Sequence, residues 1–233
     1  MTLPGDQAAG NSTGSDQPRS LTLLLDGNAA ELCCRGVLFD MDGVLVESMT
    51  VICRHLQHWA ATHGLDAKQV IETSHGLTST DLIRAVAPWL NIAQESRALV
   101  QREISDVRGI RAAAGAAALT DSLPKASWAV VTSADPRVAH ARLAAAGIIS
   151  PPILVSATDV VRGKPDPEGY LLAAKRMSVD PSDCVVIEDA AAGIAAARSA
   201  GCRVVAVSGT VESHLLNADF VVPNLTAVSV SDH

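Results

Sequence analysis

Aromatic side chains are scarce, at 3% of the 233 residues. A surface that stacks nucleic-acid bases needs more of them. Basic residues are outnumbered, 18 Lys and Arg against 25 Asp and Glu, for a formal net charge of −7. This balance excludes a basic nucleic-acid groove and a polybasic membrane-surface patch as default readings. No apolar run approaches the roughly 18 residues that span a bilayer. Residues 1–18 carry neither a basic stretch nor an apolar one, so no secretory signal is expected there. Cys33, Cys34, Cys53, Cys184 and Cys202 are odd in number and show no CxxC spacing. They argue for free thiols in a reducing cytoplasm, and against a zinc knuckle or a disulfide frame. What the chain does have is apolar residues, 48% of it, which suffice for a core without staples. The length suits one domain, or one domain carrying an insert.

Residues 1–20 are rich in Gly, Ser, Thr, Pro and Asp and read as a disordered tail. Residues 21–25 are a short apolar run ended by the turn signal Asp26-Gly27-Asn28, consistent with an added edge strand. Gly36-Val37-Leu38-Phe39 reads as a buried strand running into a loop. From Ser48 to about Gly109 the apolar spacing turns helical. Three helices are expected, over 48–63, 81–89 and 95–107, with no strand among them. After Gly109, strands (128–132, 153–156, 184–187, 204–207, 220–222) alternate with helices (112–123, 136–146, 167–177, 190–200). Asp135 and Pro136 are a natural cap and first position for the second of these helices. Continuous apolar strands alternating with helices mean a parallel sheet covered on both faces. The expected class is therefore α/β: a Rossmann-like parallel-sheet core with an inserted all-helical cap. The expected partition is a tail (1–20), a core (21–48 and 111–233) and a cap (49–110).

Ligands of an open parallel sheet sit outside the carboxyl ends of its strands. After the first core strand come Asp40 and Asp42, and after the second come Ser133 and Ala134. Lys164 precedes the helix near Pro167, and Glu188 and Asp189 follow the strand at 184–187. Four carboxylates, one hydroxyl and one ammonium thus meet at one edge. Carboxylates so close repel one another and need a counter-charge. A hard divalent cation with oxygen ligands and water, Mg²⁺, supplies it. Such a cation beside a lysine and a hydroxyl suits phosphate handling, because both positive groups offset transition-state charge. One aspartate can attack phosphorus, and another two residues on can move the proton of the leaving oxygen.

The motifs Phe39-Asp40-Met41-Asp42-Gly43-Val44-Leu45, Val131-Thr132-Ser133, Gly163-Lys164-Pro165 and Val186-Ile187-Glu188-Asp189-Ala190 stand in order. With them the chain resembles the haloacid dehalogenase (HAD) superfamily of phosphohydrolases over roughly residues 35–224. The resemblance implies Asp40 as nucleophile and Asp42 as acid/base. Ser133, with Ala134, would bind the phosphoryl group, and Lys164 would hold Asp40 and phosphate. Asp40, the Asp42 carbonyl and Asp189 would ligate Mg²⁺, with Glu188 helping directly or through water. Within the superfamily the chain is most similar to sugar- and polyol-phosphate phosphatases, on Val70 to Gly76, Leu123-Pro124-Lys125, Tyr170-Leu171 and Asp189 to Ile194. The implied partner is a small phosphorylated sugar or polyol, with neither nucleic acid nor membrane; nothing in the sequence bears on oligomeric state. Two features depart from the family pattern. Asp135 replaces a small or neutral residue, and residues 21–33 have no counterpart.

Other readings fit some of the same residues. A β-phosphoglucomutase-like mutase shares every core residue. A non-catalytic sugar-phosphate binder would keep the fold without turnover. A dehalogenase leaves Asp42 without a role. In the cap, His75 and the Thr78-Ser79-Thr80 stretch are the candidates for specificity, whereas Arg84 reads as solvated and His55, His58 and His63 as incidental. Trp59 and Trp89 read as cap core, and the cysteines as small buried hydrophobes.

Overall fold

In the computed structural model, residues 18–27, 29–208 and 217–232 are described. Most of the tail expected over residues 1–20 lies outside them. The chain opens with two antiparallel strands, β1 (Leu21–Leu25) and β2 (Ala30–Cys34), turned at Asp26 (φ 48°) and Gly27 (φ 64°). Then come β3 (Gly36–Phe39), β4 (Val46–Glu47) and four helices: α1 (Met49–His63), α2 (Ala67–Ser74), α3 (Ser79–Val86) and α4 (Ile92–Ser105). The chain continues through β5 (Arg111–Ala112), α5 (Ala116–Ser122), β6 (Trp128–Val131), α6 (Pro136–Ala146), β7 (Leu154–Val155) and α7 (Glu168–Met177). It ends with β8 (Cys184–Glu188), α8 (Ala191–Ser199), β9 (Arg203–Val207), β10 (Phe220–Val222) and β11 (Val228–Asp232).

The central sheet has the order β10-β9-β8-β3-β6-β7, and every pairing in it is parallel. Its strands are apolar throughout because both faces are covered. Val37, Phe39, Val130, Val185 and Ile187 face one core with α5 and α6; Leu38, Ala129, Val131 and Val186 face another with α7 and α8. Each of the Val, Leu, Ile and Phe side chains among them contributes ~1.5–3 kcal/mol on burial. The helices α1 to α4 enclose an apolar cluster of their own, with Leu56, Trp59, Val70, Leu82, Ile83 and Leu99. They hang between β4 and β5, which pair as a two-stranded antiparallel ribbon. This is a Rossmann-like α/β fold with an inserted helical cap. No helix among the described residues is long and apolar enough to cross a membrane.

Several local expectations need correction. The run at 21–25 is the middle strand of a separate antiparallel sheet, ordered β11-β1-β2, not an edge strand. The helix expected over 81–89 stops at Val86, because Pro88 cannot continue it. Trp89 consequently lies in the following turn, 70% exposed, and is not cap core. The helix expected from 112 starts only at Ala116. Gly115 takes φ 85° and fits against the backbone of Leu225 and Thr226, so residues 111–112 pair as a strand instead. The helix expected over 95–107 is α4 and starts at Ile92, where the Asn91 side chain accepts from the Gln94 N–H. A further helix, α2, is capped by Asp66. Cys33 is exposed, unlike Cys34, Cys184 and Cys202.

Candidate active site

β3 ends at Phe39, and the next backbone N–H, that of Asp40, donates to the Ile187 carbonyl on β8. Asp40 is thereby fixed at the carboxyl edge of the sheet's two central strands. The loop then folds back tightly: the Leu45 and Val46 N–H groups both donate to the Met41 carbonyl. Gly43 (φ 86°) makes that loop possible, and a Cβ there would collide with the Asp189 carboxylate.

Lys164 reaches this edge from the loop after β7. Its ammonium donates to Asp40 Oδ1 at 2.7 Å, to Glu188 Oε1 at 2.7 Å and to the Val131 carbonyl at 3.3 Å. Glu188, the last residue of β8, is fully buried and takes four donors. Oε1 accepts from Lys164 and from the Tyr170 hydroxyl at 2.9 Å; Oε2 accepts from the Asp189 and Ala190 N–H groups. Gly193 leaves the space this carboxylate fills. Asp189 is buried beside them, and one carboxylate oxygen each of Asp40, Glu188 and Asp189 lie within 4.8 Å of one another.

The electrostatics follow from that crowding. Burial pushes the Asp40 carboxyl well above the usual range; Lys164 opposes this, while Glu188 and Asp189 add to it. Burial also works against the Lys164 ammonium, but Asp40 and Glu188 outweigh it and hold Lys164 well above its ordinary value. Three buried carboxylates thus face one permanent ammonium. Such an oxygen-only, negatively charged cluster fits a hard divalent cation.

Asp42 stands at the other side of the same loop. Its Oδ1 accepts from the Ser48 hydroxyl at 2.5 Å and its Oδ2 from Arg142 Nη1 at 2.7 Å. Arg142 Nη2 also donates to Glu103 Oε1 on α4 at 2.8 Å. Burial raises the Glu103 carboxyl against the pull of Arg142. Above these groups opens a cleft roofed by Met49, Ile52, Leu56, His75, Gly76 and Leu82 of the cap.

Residues 34–201 match the haloacid dehalogenase-like hydrolase family. The chain belongs to that family. Hexitol phosphatase A of Escherichia coli (strain K12) is 40% identical over 204 residues, covering 85% of this chain and 94% of that protein. Glycerol-1-phosphate phosphohydrolase 2 of Saccharomyces cerevisiae is 33% identical over 213 residues, 84% of each chain. Among solved structures, CbbY from Rhodobacter sphaeroides in complex with phosphate superposes with a TM-score of 0.72 at 25% identity, covering 82% of this chain and 95% of that one. The chain is an enzyme of the phosphoric monoester hydrolase type that the two named relatives represent.

In this HAD hydrolase the fold brings Asp40, Asp42, Lys164, Glu188 and Asp189 to one cleft, with Ser133, Ala134 and His75 on its walls. Ser133 donates its hydroxyl to the Gly76 carbonyl of the cap at 2.8 Å. His75 is exposed at the end of α2. Asp135 caps α6 and pairs with Arg137 at 3.0 Å, which holds its carboxyl below the usual range. Arg84 is exposed and pairs with Asp81 at 2.5 Å. His63 has an acidic partner that its spacing did not announce: Nε2 lies 2.9 Å from Glu95 Oε2.

Sequence reasoning missed Arg142 and Glu103. A signal existed in both cases. Val138, Ala139, Arg142 and Leu143 share the inward face of α6, and Leu99, Val100 and Glu103 run along one side of α4 at the same helical spacing. A charge at a core position of an amphipathic helix marks a buried partner. Ser48 starts α1 without a capping bond, because its hydroxyl serves Asp42 instead.

Proposed function

We propose that this enzyme is a Mg²⁺-dependent phosphatase of small phosphorylated sugars or polyols, working through a phosphorylated Asp40. The observation that carries this is the arrangement at one sheet edge: Asp40 pinned by Lys164, a buried acidic cluster beside it, and Asp42 a loop's width away under the cap. The hexitol and glycerol phosphatases among its relatives support the substrate class.

In the first step an Asp40 oxygen bonds to phosphorus, the bond to the leaving oxygen breaks, and Asp42 gives that oxygen a proton. In the second, Asp42 takes a proton from water, the water oxygen bonds to phosphorus, and Asp40 is released with inorganic phosphate. Lys164 offsets negative charge on Asp40 and on the phosphoryl group throughout. Ser133 and Ala134 would orient the phosphoryl oxygens once the Ser133 hydroxyl leaves the Gly76 carbonyl and the Ala134 N–H leaves the Thr132 hydroxyl. Asp40 and Asp189, with the Asp42 carbonyl, would hold Mg²⁺, and Glu188 would reach it through water. The ion would offset charge on the transferring group. The cap, residues 49–110, would exclude water over the core formed by 21–48 and 111–233. The free thiols fit a cytoplasmic setting.

Phosphate release from a panel of hexitol, hexose and glycerol phosphates tests this, with Mg²⁺ or EDTA, against Asp40→Asn. Release that needs metal and falls at least ~10³-fold in the variant is expected. Conversion of β-glucose 1-phosphate to its 6-phosphate, with little phosphate set free, would replace the reading with a mutase.

A further inference from the structure

The reading above gives Asp42 a demanding task. One of its oxygens must present a proton to the leaving group and later collect one from water. A carboxylate on a loop has two free torsions, and misplacement by about 1 Å can cost ~10²-fold in rate. In this structure neither torsion is free. Ser48, the residue on which the cap begins, donates to Oδ1 at 2.5 Å. Arg142, on the core helix α6, donates to Oδ2 at 2.7 Å. The second arm of the same guanidinium holds Glu103, on the last cap helix, at 2.8 Å. The residue at the entry to the cap and, through Arg142, a residue of its last helix therefore terminate on the two oxygens of Asp42.

We propose that Arg142 is the positioning residue for the acid/base Asp42, and that through Glu103 it ties the orientation of Asp42 to the placement of the cap.

The choice of arginine bears on this. Its side chain is 5% exposed, against 20% for Asp42 and 15% for Glu103. A buried ion pair is a weak source of stability, since desolvation cancels much of the attraction. Stability therefore does not explain a cation placed here. Geometry does. A guanidinium is planar, permanently charged and offers donors in fixed directions, so it can grip two carboxylates at a set angle without exchanging a proton with either. Lysine would supply the charge without the angle. When α4 shifts with the cap, Glu103 moves against Arg142, and the grip on Oδ2 changes with it.

This inference rests on the phosphatase reading, and the test separates the two. p-Nitrophenolate leaves as a stable anion without needing a proton, whereas the alkoxide of a hexitol needs one. kcat/KM covers the steps up to departure of the leaving group and excludes the hydrolysis that both substrates share. The native enzyme, Arg142→Gln, Arg142→Lys and Glu103→Gln are compared on a hexitol phosphate and on p-nitrophenyl phosphate. Arg142→Gln is expected to lose ~10²-fold on the hexitol phosphate, the order of one general-acid contribution, and at most about threefold on p-nitrophenyl phosphate. Arg142→Lys recovers part of the loss, and Glu103→Gln shows the same selectivity at smaller size. The two milder variants carry the test should Arg142→Gln not fold. Binding of the hexitol phosphate is measured in Asp40→Asn with and without Arg142→Gln, and the same affinity is expected. Equal losses on both substrates would make Arg142 merely structural and overturn the proposal. Affinity weakened tenfold or more would make it a substrate contact and overturn it too. If the native enzyme releases phosphate from neither compound, the phosphatase reading itself fails and takes the inference with it.

Discussion

His55 sits on α1 with 2% of its surface exposed and neither ring nitrogen hydrogen-bonded. The Asp106 carboxylate lies 3.8 Å from Nε2, too far for a hydrogen bond. Burial holds the imidazole below its ordinary value; Asp106 opposes this, and Arg54, Arg142 and Arg102 reinforce it. As pH falls through about 6.5 the unfolded chain takes up a proton at this position, and the folded chain resists. The unfolded state then binds more protons, so His55 leaves stability intact above that range and withdraws it as pH falls. His55→Leu removes both the titration and two orphaned polar atoms, each group of this kind costing roughly 1–3 kcal/mol. We expect the variant to match or exceed native stability at pH 7.5, with the gap widening in its favour at pH 5.5. Urea midpoints at the two pH values check this; a gap independent of pH would contradict it. The same region shows where single residues escape sequence reading. Asp40, Asp42, Lys164, Glu188 and Asp189 were legible because strand ends expose their chemistry in order. Arg142 and Glu103 carried only the weaker signal of a charge on the buried face of a helix, and their partners are remote in the chain, so no local pattern names them.

At the scale of elements, the strands β3, β6, β8 and β9 were legible because burial on both faces leaves them apolar without interruption. β2 and β11 were not: their alternation, Ala-Glu-Leu-Cys-Cys and Val-Ser-Val-Ser-Asp, buries one face only. β11 pairs with β1 across some two hundred residues, a contact no local pattern announces. Helix ends were set by particular residues, Pro88 after α3 and Gly115 before α5, and these overrode periodicity. The first turn of α8 shows packing overriding propensity in another way. Alanine is favoured over glycine within a helix by about 1 kcal/mol. At Gly193, however, a Cβ would strike the Glu188 carboxylate, which holds Lys164, Tyr170 and two backbone N–H groups. Overpacking of this kind costs about 1–3 kcal/mol, and here it also displaces the partner of Lys164. Gly193→Ala should therefore lose stability despite its better propensity, and phosphatase activity should fall by at least ~10-fold. Denaturant unfolding and phosphate release check both; a more stable, fully active variant would contradict the packing argument.

Over the whole molecule, buried charge gathers at one end of the sheet. Asp40, Glu188 and Asp189 cluster there with Lys164 paired to the first two, and a short distance away Asp42 and Glu103 share Arg142. The helices of the cap close over that end and the β4–β5 ribbon joins them to the core, steadied by Arg111 and Glu47 at 2.5 Å. Like charges gathered under a cap oppose folding, because the unfolded chain disperses them into water. A divalent cation bound only by the folded state reverses this. At about a hundred times its Kd it would add ~2.7 kcal/mol to stability. For a chain of this length each kcal/mol moves Tm by roughly 2–4 °C, so Mg²⁺ should raise Tm by about 5–10 °C over EDTA. The rise needs no substrate and no turnover, so it tests the acidic cluster apart from the phosphatase reading. Asp189→Asn keeps the shape of the site but removes one of its charges. It should melt at or above the native temperature in EDTA, where one repulsion is relieved, and gain little from Mg²⁺. Thermal melts of both proteins under both conditions decide it. A native Tm indifferent to Mg²⁺, or an equal rise in Asp189→Asn, would mean that the charge at this edge is balanced by something other than a cation held by Asp189.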